Sequence, residues 1–248
     1  MKKNNILTNY ESYYRNKKNK ILFPSELLVK VFLGKTIKIY SNQKLKNKKI
    51  LDLSCGDGRN LVFFKKIGLK VYGTEISSKI LKILNNNIAK QKTKINLKLG
   101  TASNIPFQNS FFDYVVAYHS AYYLEEKGKI EDNINEIYRV MKKGSSFFGT
   151  IPLKNNYYFK GAKYFKKNQY IIKKDPLKIR NNSILACVKN KNELYKLLKK
   201  KFKKNNFVIK NCIISKMQKK FDTIIYFDVL EHIKDDLKEI KTASKKLK

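Results

Sequence analysis

The chain has 248 residues, 42% of them hydrophobic, which is sufficient to form the core of one α/β domain. Three scattered cysteines, Cys55, Cys187 and Cys212, exclude a disulfide framework and a cysteine-rich metal site, and they indicate a reducing compartment. No apolar run reaches membrane-spanning length, and the basic start lacks the apolar segment of a signal peptide. We therefore expect a cytoplasmic protein with no membrane contact and no bound metal.

The formal net charge of +36 raises the possibility of a nucleic-acid partner, because clustered basic residues neutralise phosphates. Only four of the 55 basic residues are arginine, however, and the lysines are spread along the whole chain. Specific phosphate and base contacts depend on the bidentate arginine fork. A codon bias toward A and T at solvated positions explains this pattern, and non-specific attraction to acidic polymers is still expected at low salt.

Residues 1–47 are predicted to form an N-terminal segment and a helix. The first twenty residues are polar and basic, with tyrosines at 10, 13 and 14, and a poorly ordered terminus is one interpretation of them. Pro24 and Ser25 are start signals for a helix whose apolar face ends near Leu33.

Residues 48–151 alternate between apolar strands and amphipathic helices. The predicted strands are 49–53, 70–74, 95–99, 112–118 and 146–151, and the predicted helices begin near 60, 77 and 130. The strand at 112–118 is apolar on both faces, as a central parallel strand should be. This alternation predicts an α/β fold with a doubly wound, mostly parallel sheet. A further helix is expected from about 190, followed by a strand at 207–214.

Residues 152–186 interrupt the alternation with two prolines, a glycine, many Tyr and Asn residues and no sustained period. So long an irregular stretch in a compact domain is usually functional or disordered. Because it follows the ligand-facing end of a parallel strand, we predict that it is a substrate-binding insertion.

Residues 221–248 repeat an earlier part of the chain. The segment 221–233 has the pattern of 112–124, and a helix is predicted after each. No second glycine turn precedes the repeat, so we interpret 221–248 as a partial strand–helix unit from a fused or truncated tandem gene. Residues 222–228 are expected to serve as the last strand of the sheet, with an extra helix behind it.

The glycine turn between the first strand and its helix is the most informative stretch. Gly56 and Gly58 permit a sharp turn and close approach of a ligand. A dinucleotide fingerprint would need a third glycine where Leu61 stands. Asp52 and Asp57 would repel a pyrophosphate at the helix N-terminus. The turn therefore predicts a ligand that carries positive charge.

This stretch, Glu75 at the end of the next strand, and the segments 100–107, 112–118 and 139–144 together resemble class I S-adenosylmethionine-dependent methyltransferases. The resemblance covers about residues 48–152. It implies a methyltransferase domain over 48–220, with a Rossmann-like sheet of about seven strands whose last strand is antiparallel, and it implies S-adenosylmethionine as cofactor. It also offers a second interpretation of residues 1–20, as a lid whose tyrosines cap the pocket.

The resemblance further implies a set of cofactor-binding residues. Asp52 would bind the amino group of the methionine part, and Glu75 would accept both ribose hydroxyls. Ser54, Cys55, Gly56 and Gly58 would form the turn, Thr101 and Ala102 would flank the adenine, and Tyr118 would face the methionine part. Ile76 would also contact the cofactor. Two positions depart from the family: Ser54 replaces a glycine, and Thr101 replaces an acid for the adenine amino group. Purely structural interpretations remain, with Asp52 as a helix-capping aspartate and Glu75 as an acid at a helix N-terminus.

Methyl transfer requires a nucleophile held in line with the methyl group, and a base only where the acceptor must lose a proton. His119 is the candidate base, and a positioning role is its alternative. Tyr122, Tyr158 and Arg180 are substrate-contact candidates. We predict methylation of an oxygen or nitrogen of a small molecule. The alternatives are an RNA or protein methyltransferase and an inactive cofactor-binding remnant, and the sequence leaves the oligomeric state open.

Overall fold

The structure, a computed structural model, describes residues 5–17, 23–34, 45–91, 95–202, 208–210 and 224–226. The helices are α1 (Asn5–Asn16), α2 (Glu26–Leu33), α3 (Arg59–Lys66), α4 (Ser78–Lys90), α5 (Ile130–Val140) and α6 (Lys191–Lys199), with a 3-10 turn at Tyr157–Phe159. The strands of the first half are β1 (Lys49–Asp52), β2 (Lys70–Glu75), β3 (Asn96–Leu99), β4 (Phe112–Ala117) and β5 (Tyr123–Leu124). Those of the second half are β6 (Met141–Gly149), β7 (Lys163–Lys166), β8 (Gln169–Ile171), β9 (Ile184–Ala186), β10 (Val208–Lys210) and β11 (Ile224–Tyr226).

Five strands form a parallel sheet in the order β3-β2-β1-β4-β6, which confirms the predicted doubly wound α/β fold. In register, Leu51 of β1 lies between Tyr72 of β2 and Val115 of β4. The strand order reverses direction between β1 and β4. In open parallel sheets this point leaves a crevice at the carboxyl ends of the strands, and ligands bind there.

Apolar layers cover both faces of this sheet. Successive residues of a strand point to opposite faces, so Ile50 packs with α2, α3 and α4 while Leu51 packs with α5 and α6. Phe64 and Phe147 are fully buried in the two layers, one on each side. Burial on both faces explains why the parallel strands read as continuous apolar runs in the sequence.

The stretch 152–186 is more regular than its sequence indicated. Three of its short strands join β5 in an antiparallel sheet of order β5-β9-β8-β7. Strands of two to four residues are too short to show a clear alternation of apolar and polar residues. They could therefore not be predicted from the sequence. This second sheet has its own apolar cluster, which includes Tyr122, Tyr158, Ile172 and Leu185.

The end of the described chain requires one correction. We expected an antiparallel last strand, but β11 pairs with β10 in parallel, with Ile225 opposite Ile209. β11 also lies beside β6, at the edge of the main sheet. The antiparallel expectation came from the family resemblance, whereas residues 221–228 repeat the two-sided apolar pattern of the parallel strand β4. The helix predicted after 228 lies outside the described residues.

Within the described ranges, no helix combines the length and the apolar character needed to cross a membrane.

Arg139 of α5 fastens the segment between β3 and β4. Its guanidinium donates to the carbonyl oxygens of Ile105 at 2.7 Å and Phe107 at 2.8 Å, and it pairs with Glu136 through two contacts. Glu136 also accepts from the backbone N–H of Ile105 at 2.9 Å. This segment begins at Thr101, so the same bonds position one wall of the crevice.

We expect Arg139→Met to lower the free energy of unfolding by about 1.5–3 kcal/mol, because hydrogen bonds from a charged donor to two carbonyls are lost. Urea denaturation measures the change. The exposed neighbour Lys143, changed to Met, is the control and should shift stability by less than about 0.5 kcal/mol. Equal effects of the two substitutions would contradict a fastening role for Arg139.

Candidate functional site

A cavity of about 870 Å³ opens at the carboxyl ends of β1, β2 and β4. The structure brings most of the predicted site residues together there: Asp52, Ser54, Cys55, Gly56, Glu75, Ile76, Thr101, Ala102, Tyr118, His119 and Arg180 all line it. Gly58, Tyr122 and Tyr158 lie behind its wall. The remaining walls come from α1 and from the second sheet.

The turn after β1 depends on left-handed backbone. Ser54, Gly56 and Gly58 have φ angles of 56°, 60° and 84°. A Cβ at Gly58 would collide with Leu84 of α4, and one at Gly56 would collide with the hydroxyl of Tyr14. The positive φ angles favour glycine at positions 56 and 58, and a Cβ there would also force the contacting side chain to shift. Ser54 occupies strained backbone where the family has glycine.

Asp52 places a buried carboxylate at the end of β1. The residue is only 2% exposed, and its Oδ2 atom has no hydrogen-bond partner among the residues that the structure describes. The Asn60 side chain hydrogen-bonds to the carboxylate and also accepts from the backbone N–H of Ser25 at 3.0 Å. Burial raises the pKa of Asp52 to about 7, although Arg59 and Asn60 oppose that rise. An unpartnered buried carboxylate oxygen fits a cationic amino group, as expected for S-adenosylmethionine.

Glu75 at the end of β2 clamps the glycine turn. One carboxylate oxygen accepts from the backbone N–H of Gly56 at 2.5 Å, and the other from that of Ile76 at 3.1 Å. Burial raises its pKa to about 7, and the two backbone hydrogen bonds counteract part of that rise. Each carboxylate oxygen has a second lone pair, so two further donors, such as ribose hydroxyls, fit the same group.

The predicted adenine side is polar without an acid at position 101. Thr101 and Ser103 share a hydrogen bond of 3.0 Å, and Ser103 donates to Glu125 at 3.0 Å. Ala102 is buried and packs into the core layer beneath the cavity. The thiol of Cys55 donates to the Thr74 carbonyl, and its pKa is raised by burial, so this side chain belongs to the core.

Two aromatic residues follow β4. The Tyr118 and His119 rings meet edge to face with centroids 4.2 Å apart. His119 has a φ of 60°, and its backbone N–H donates to the Thr150 hydroxyl at 2.9 Å. Its Nδ1 lies 3.3 Å from the Tyr122 hydroxyl and 3.4 Å from that of Thr150. These contacts fix the imidazole at the cavity wall.

Helix α1 lies across the cavity. Tyr14 contacts the glycine turn, Lys17 forms an ion pair with Asp57, and Glu11 accepts from the Ser77 hydroxyl at 2.6 Å. On the other side, the Tyr10 hydroxyl pairs with that of Tyr123. The tyrosine-bearing helix therefore packs against the cavity, and its role as a lid over a bound cofactor stays a prediction.

The second sheet and its loops form the wall opposite the glycine turn. Apolar side chains of this wall are Phe165, Ile171, Leu177, Ile179 and Ile184. Its polar part is Tyr123 with Arg180, whose guanidinium lies 4.4 Å from the Tyr158 ring centre. Tyr158 and Tyr122 are themselves buried in the small core of this sheet.

Sequence reasoning missed several lining residues. Glu125, Ser103 and the apolar residues of the second sheet gave no signal, because only the folded sheet brings them to the cavity. The ion pair of Lys17 with Asp57 was equally hidden, since a lysine-rich sequence does not indicate which lysine is used.

Comparison with known proteins places these features in a family. Residues 51–149 match a family model described as a methyltransferase domain. A demethylmenaquinone methyltransferase of Symbiobacterium thermophilum is 33% identical over 104 residues, which is 40% of this chain and 40% of that protein. An ajmaline N-methyltransferase of Rauvolfia serpentina is 30% identical over 41% of this chain and 35% of its own length.

A crystal structure of an S-adenosylmethionine-dependent methyltransferase from Methanosarcina mazei shares the fold, with a TM-score of 0.50 and 23% identity over 64% of this chain and 81% of that one. The chain spans well under half the length of these curated relatives. The family model covers the part of the chain that carries the glycine turn, Asp52 and Glu75. Residues 51–149 therefore match a methyltransferase domain, and the chain has the fold of S-adenosylmethionine-dependent methyltransferases.

Proposed function

We propose that the chain transfers a methyl group from S-adenosylmethionine to an oxygen or nitrogen of a small-molecule acceptor. One observation carries the proposal: a single cavity joins the Asp52–Glu75 turn to a wall lined largely by apolar side chains. A cavity of about 870 Å³ is within the range of small-molecule sites. The curated relatives described above have names that specify small-molecule methyl transfer, which supports the same substrate class.

In this proposal the bound cofactor supplies a methyl group activated on a sulfonium. Asp52 binds the amino group of its methionine part, and Glu75 binds the ribose hydroxyls. Tyr118 and His119 face the transferred methyl. His119, held by Tyr122 and Thr150, orients the acceptor or takes its proton. Helix α1 excludes water from the cavity, since Tyr10, Tyr13 and Tyr14 all line it.

A macromolecular acceptor is less consistent with the cavity. RNA or an acidic protein would favour lysines around its mouth, but among the described lining residues Lys17 is the one lysine, and Asp57 neutralises it. An inactive remnant is also less consistent, because the buried acids of the cofactor turn are intact. Labelled S-adenosylmethionine, offered in parallel with a metabolite extract and with total RNA, distinguishes these functions by where the label appears.

We expect Glu75→Ala to weaken binding of S-adenosylhomocysteine, the demethylated product, by about 10- to 100-fold, because hydrogen bonds to a charged group are lost. Calorimetry measures the affinity. Glu131→Ala removes an exposed acid of α5 and should leave it unchanged. Unchanged binding in Glu75→Ala would refute the ribose assignment, and NADH binding of comparable strength would favour a dehydrogenase instead.

The affinity for S-adenosylhomocysteine should also depend on pH. Asp52 and Glu75 have pKa values of about 7 in the free protein, so both take up protons as the pH falls through that value. The cationic amino group binds the ionised carboxylate, so affinity should be constant above pH 7 and fall below it, with proton release on binding. Calorimetry in buffers of different ionisation enthalpy measures that release. Asp52→Asn should bind weakly and lose much of the pH dependence; an unaltered profile would exclude Asp52.

Any binding of RNA should be non-specific. The described cavity offers a single paired lysine, and the chain has only four arginines for bidentate contacts. Fluorescence anisotropy with two unrelated RNAs should give equal affinities, and if 6–10 phosphates are contacted, both should fall by about 10³- to 10⁵-fold between about 50 and 200 mM salt. A sequence preference that persists at physiological salt would support an RNA acceptor instead.

A further inference from the structure

A buried ion pair lies in the wall of the cavity opposite the glycine turn. Arg180 Nη1 donates to Asp175 Oδ1 at 2.9 Å, and the backbone N–H of Arg180 donates to Oδ2 at 3.0 Å. The Asp175 side chain is 1% exposed and that of Arg180 is 12% exposed. Asn181 accepts from the backbone N–H of Asp175 at 2.9 Å. The guanidinium is therefore held in one place before any acceptor arrives.

The two members of this pair differ in their access to the cavity. Arg180 lines it, whereas Asp175 lies behind it with both oxygens occupied by Arg180. A molecule in the cavity thus meets the cation and not the carboxylate. An ammonium group would be repelled there, and an anion would be attracted.

The guanidinium also has hydrogen-bonding capacity left. It has five N–H donors. Nη1 serves Asp175, a further donor reaches the Tyr123 hydroxyl, and Nε has no partner among the described residues. The N–H groups that are not used in this way are available to an oxygen anion in the cavity, and a charged donor makes such a hydrogen bond strong.

The tyrosines beside Arg180 add further hydrogen-bond donors. The hydroxyls of Tyr10 and Tyr123 form a pair beside the guanidinium. Burial raises the pKa of both phenols above the ordinary value, so they remain neutral O–H donors at physiological pH. The acidic residues that line the cavity lie away from Arg180. Asp52, Asp57 and Glu75 lie at the glycine turn, and Glu125, which precedes Glu126, accepts a hydrogen bond from Ser103.

The rest of this wall is apolar. Phe165, Ile171, Ile179 and Ile184 line it, and Leu177 lies at its exposed edge. A ligand that satisfies both parts of the wall has an apolar body and an anionic oxygen group at one end.

We propose that the acceptor is an apolar molecule with a carboxylate, which Arg180 binds together with the Tyr123–Tyr10 hydroxyl pair. The inference rests on the proposed methyltransferase function and specifies its substrate class. It distinguishes this chain from a methyltransferase whose acceptor is a cationic amine.

The test uses probes that share one skeleton and differ in one group: 3-phenylpropionate against 3-phenylpropylamine, and 2-naphthoate against 2-naphthylmethylamine. Each is titrated by calorimetry into the full chain saturated with S-adenosylhomocysteine. The carboxylates should bind about 10- to 100-fold more tightly than the matched amines, the effect of a charge-assisted hydrogen bond.

Arg180→Met should lose that preference while S-adenosylhomocysteine affinity is unchanged. Because this change leaves Asp175 buried without its partner, the double variant Asp175→Asn/Arg180→Met is measured as well, with circular dichroism as the check on folding. Lys174→Met, an exposed change in the same segment, should retain the preference.

Three outcomes are decisive. If the unaltered chain fails to bind S-adenosylhomocysteine, the proposed function is wrong and the inference fails with it. If it binds, but the amines bind as well as the carboxylates or neither binds, the inference alone is overturned. If a folded Arg180 variant keeps the carboxylate preference, Arg180 does not provide it.

Discussion

The structure around the cavity depends on two carboxylates that are buried at the ends of neighbouring parallel strands. Asp52 and Glu75 are 2% and 4% exposed, and each contributes negative charge in a region from which water is largely removed. Their pKa values in the folded chain, about 7, lie above those of an unfolded chain, near 4. The folded state therefore binds more protons than the unfolded state, and the ligand-free fold loses stability as pH rises from about 4 to about 7. A cationic ligand at Asp52 reverses that loss.

The neighbouring structure serves to keep these acids in place. Asn60 joins Asp52 to the start of α2, and the N–H groups of Gly56 and Ile76 hold Glu75. Strained backbone accompanies this arrangement: Ser54 and His119, at the ends of β1 and β4, both have left-handed φ angles near 60°. Such strain costs about 1–3 kcal/mol for each residue and persists where the surrounding structure over-determines it. Both strained residues line the cavity. The backbone conformation that forms the site therefore lowers the stability of the fold.

The sequence was sufficient for the parts of the fold whose signals are local. The parallel strands and their helices follow from apolar runs and amphipathic periods, and the glycine turn with its two acids marked the ligand end of the sheet. The second sheet was hidden because its strands are short and pair across tens of residues, as Tyr123 does with Leu185. The prediction of an antiparallel last strand was wrong because it followed the family pattern. Residues 221–228 themselves resemble the parallel strand β4, and β11 pairs with β10 in parallel.

The candidate site shows the same difference between residues with a local sequence signal and residues that only the fold brings together. Asp52, Gly56 and Glu75 could be chosen from the sequence because the glycine turn and the end of the next strand follow one another closely along the chain. On the acceptor side, the sequence offered Arg180 and Tyr158 only as candidate substrate contacts. It does not show that Arg180 contacts Asp175, Tyr123 and Tyr158, because these contacts form only in the folded chain. Among four arginines in a lysine-rich chain, nothing in the sequence shows that one is buried among tyrosines.

Helix α1 connects the two halves of the cavity. Through Tyr14 and Lys17 it contacts the cofactor turn, and through Tyr10 and Asn9 it contacts Tyr123 and the Asn181 carbonyl on the acceptor side. Any displacement of the helix that admits one ligand therefore breaks contacts on the side of the other. Conversely, a ligand that strengthens the contacts on one side makes the docked position of α1 more favourable for both. Since Tyr10 belongs to the same hydroxyl pair as Tyr123, the proposed carboxylate site is completed by the helix that also contacts the glycine turn.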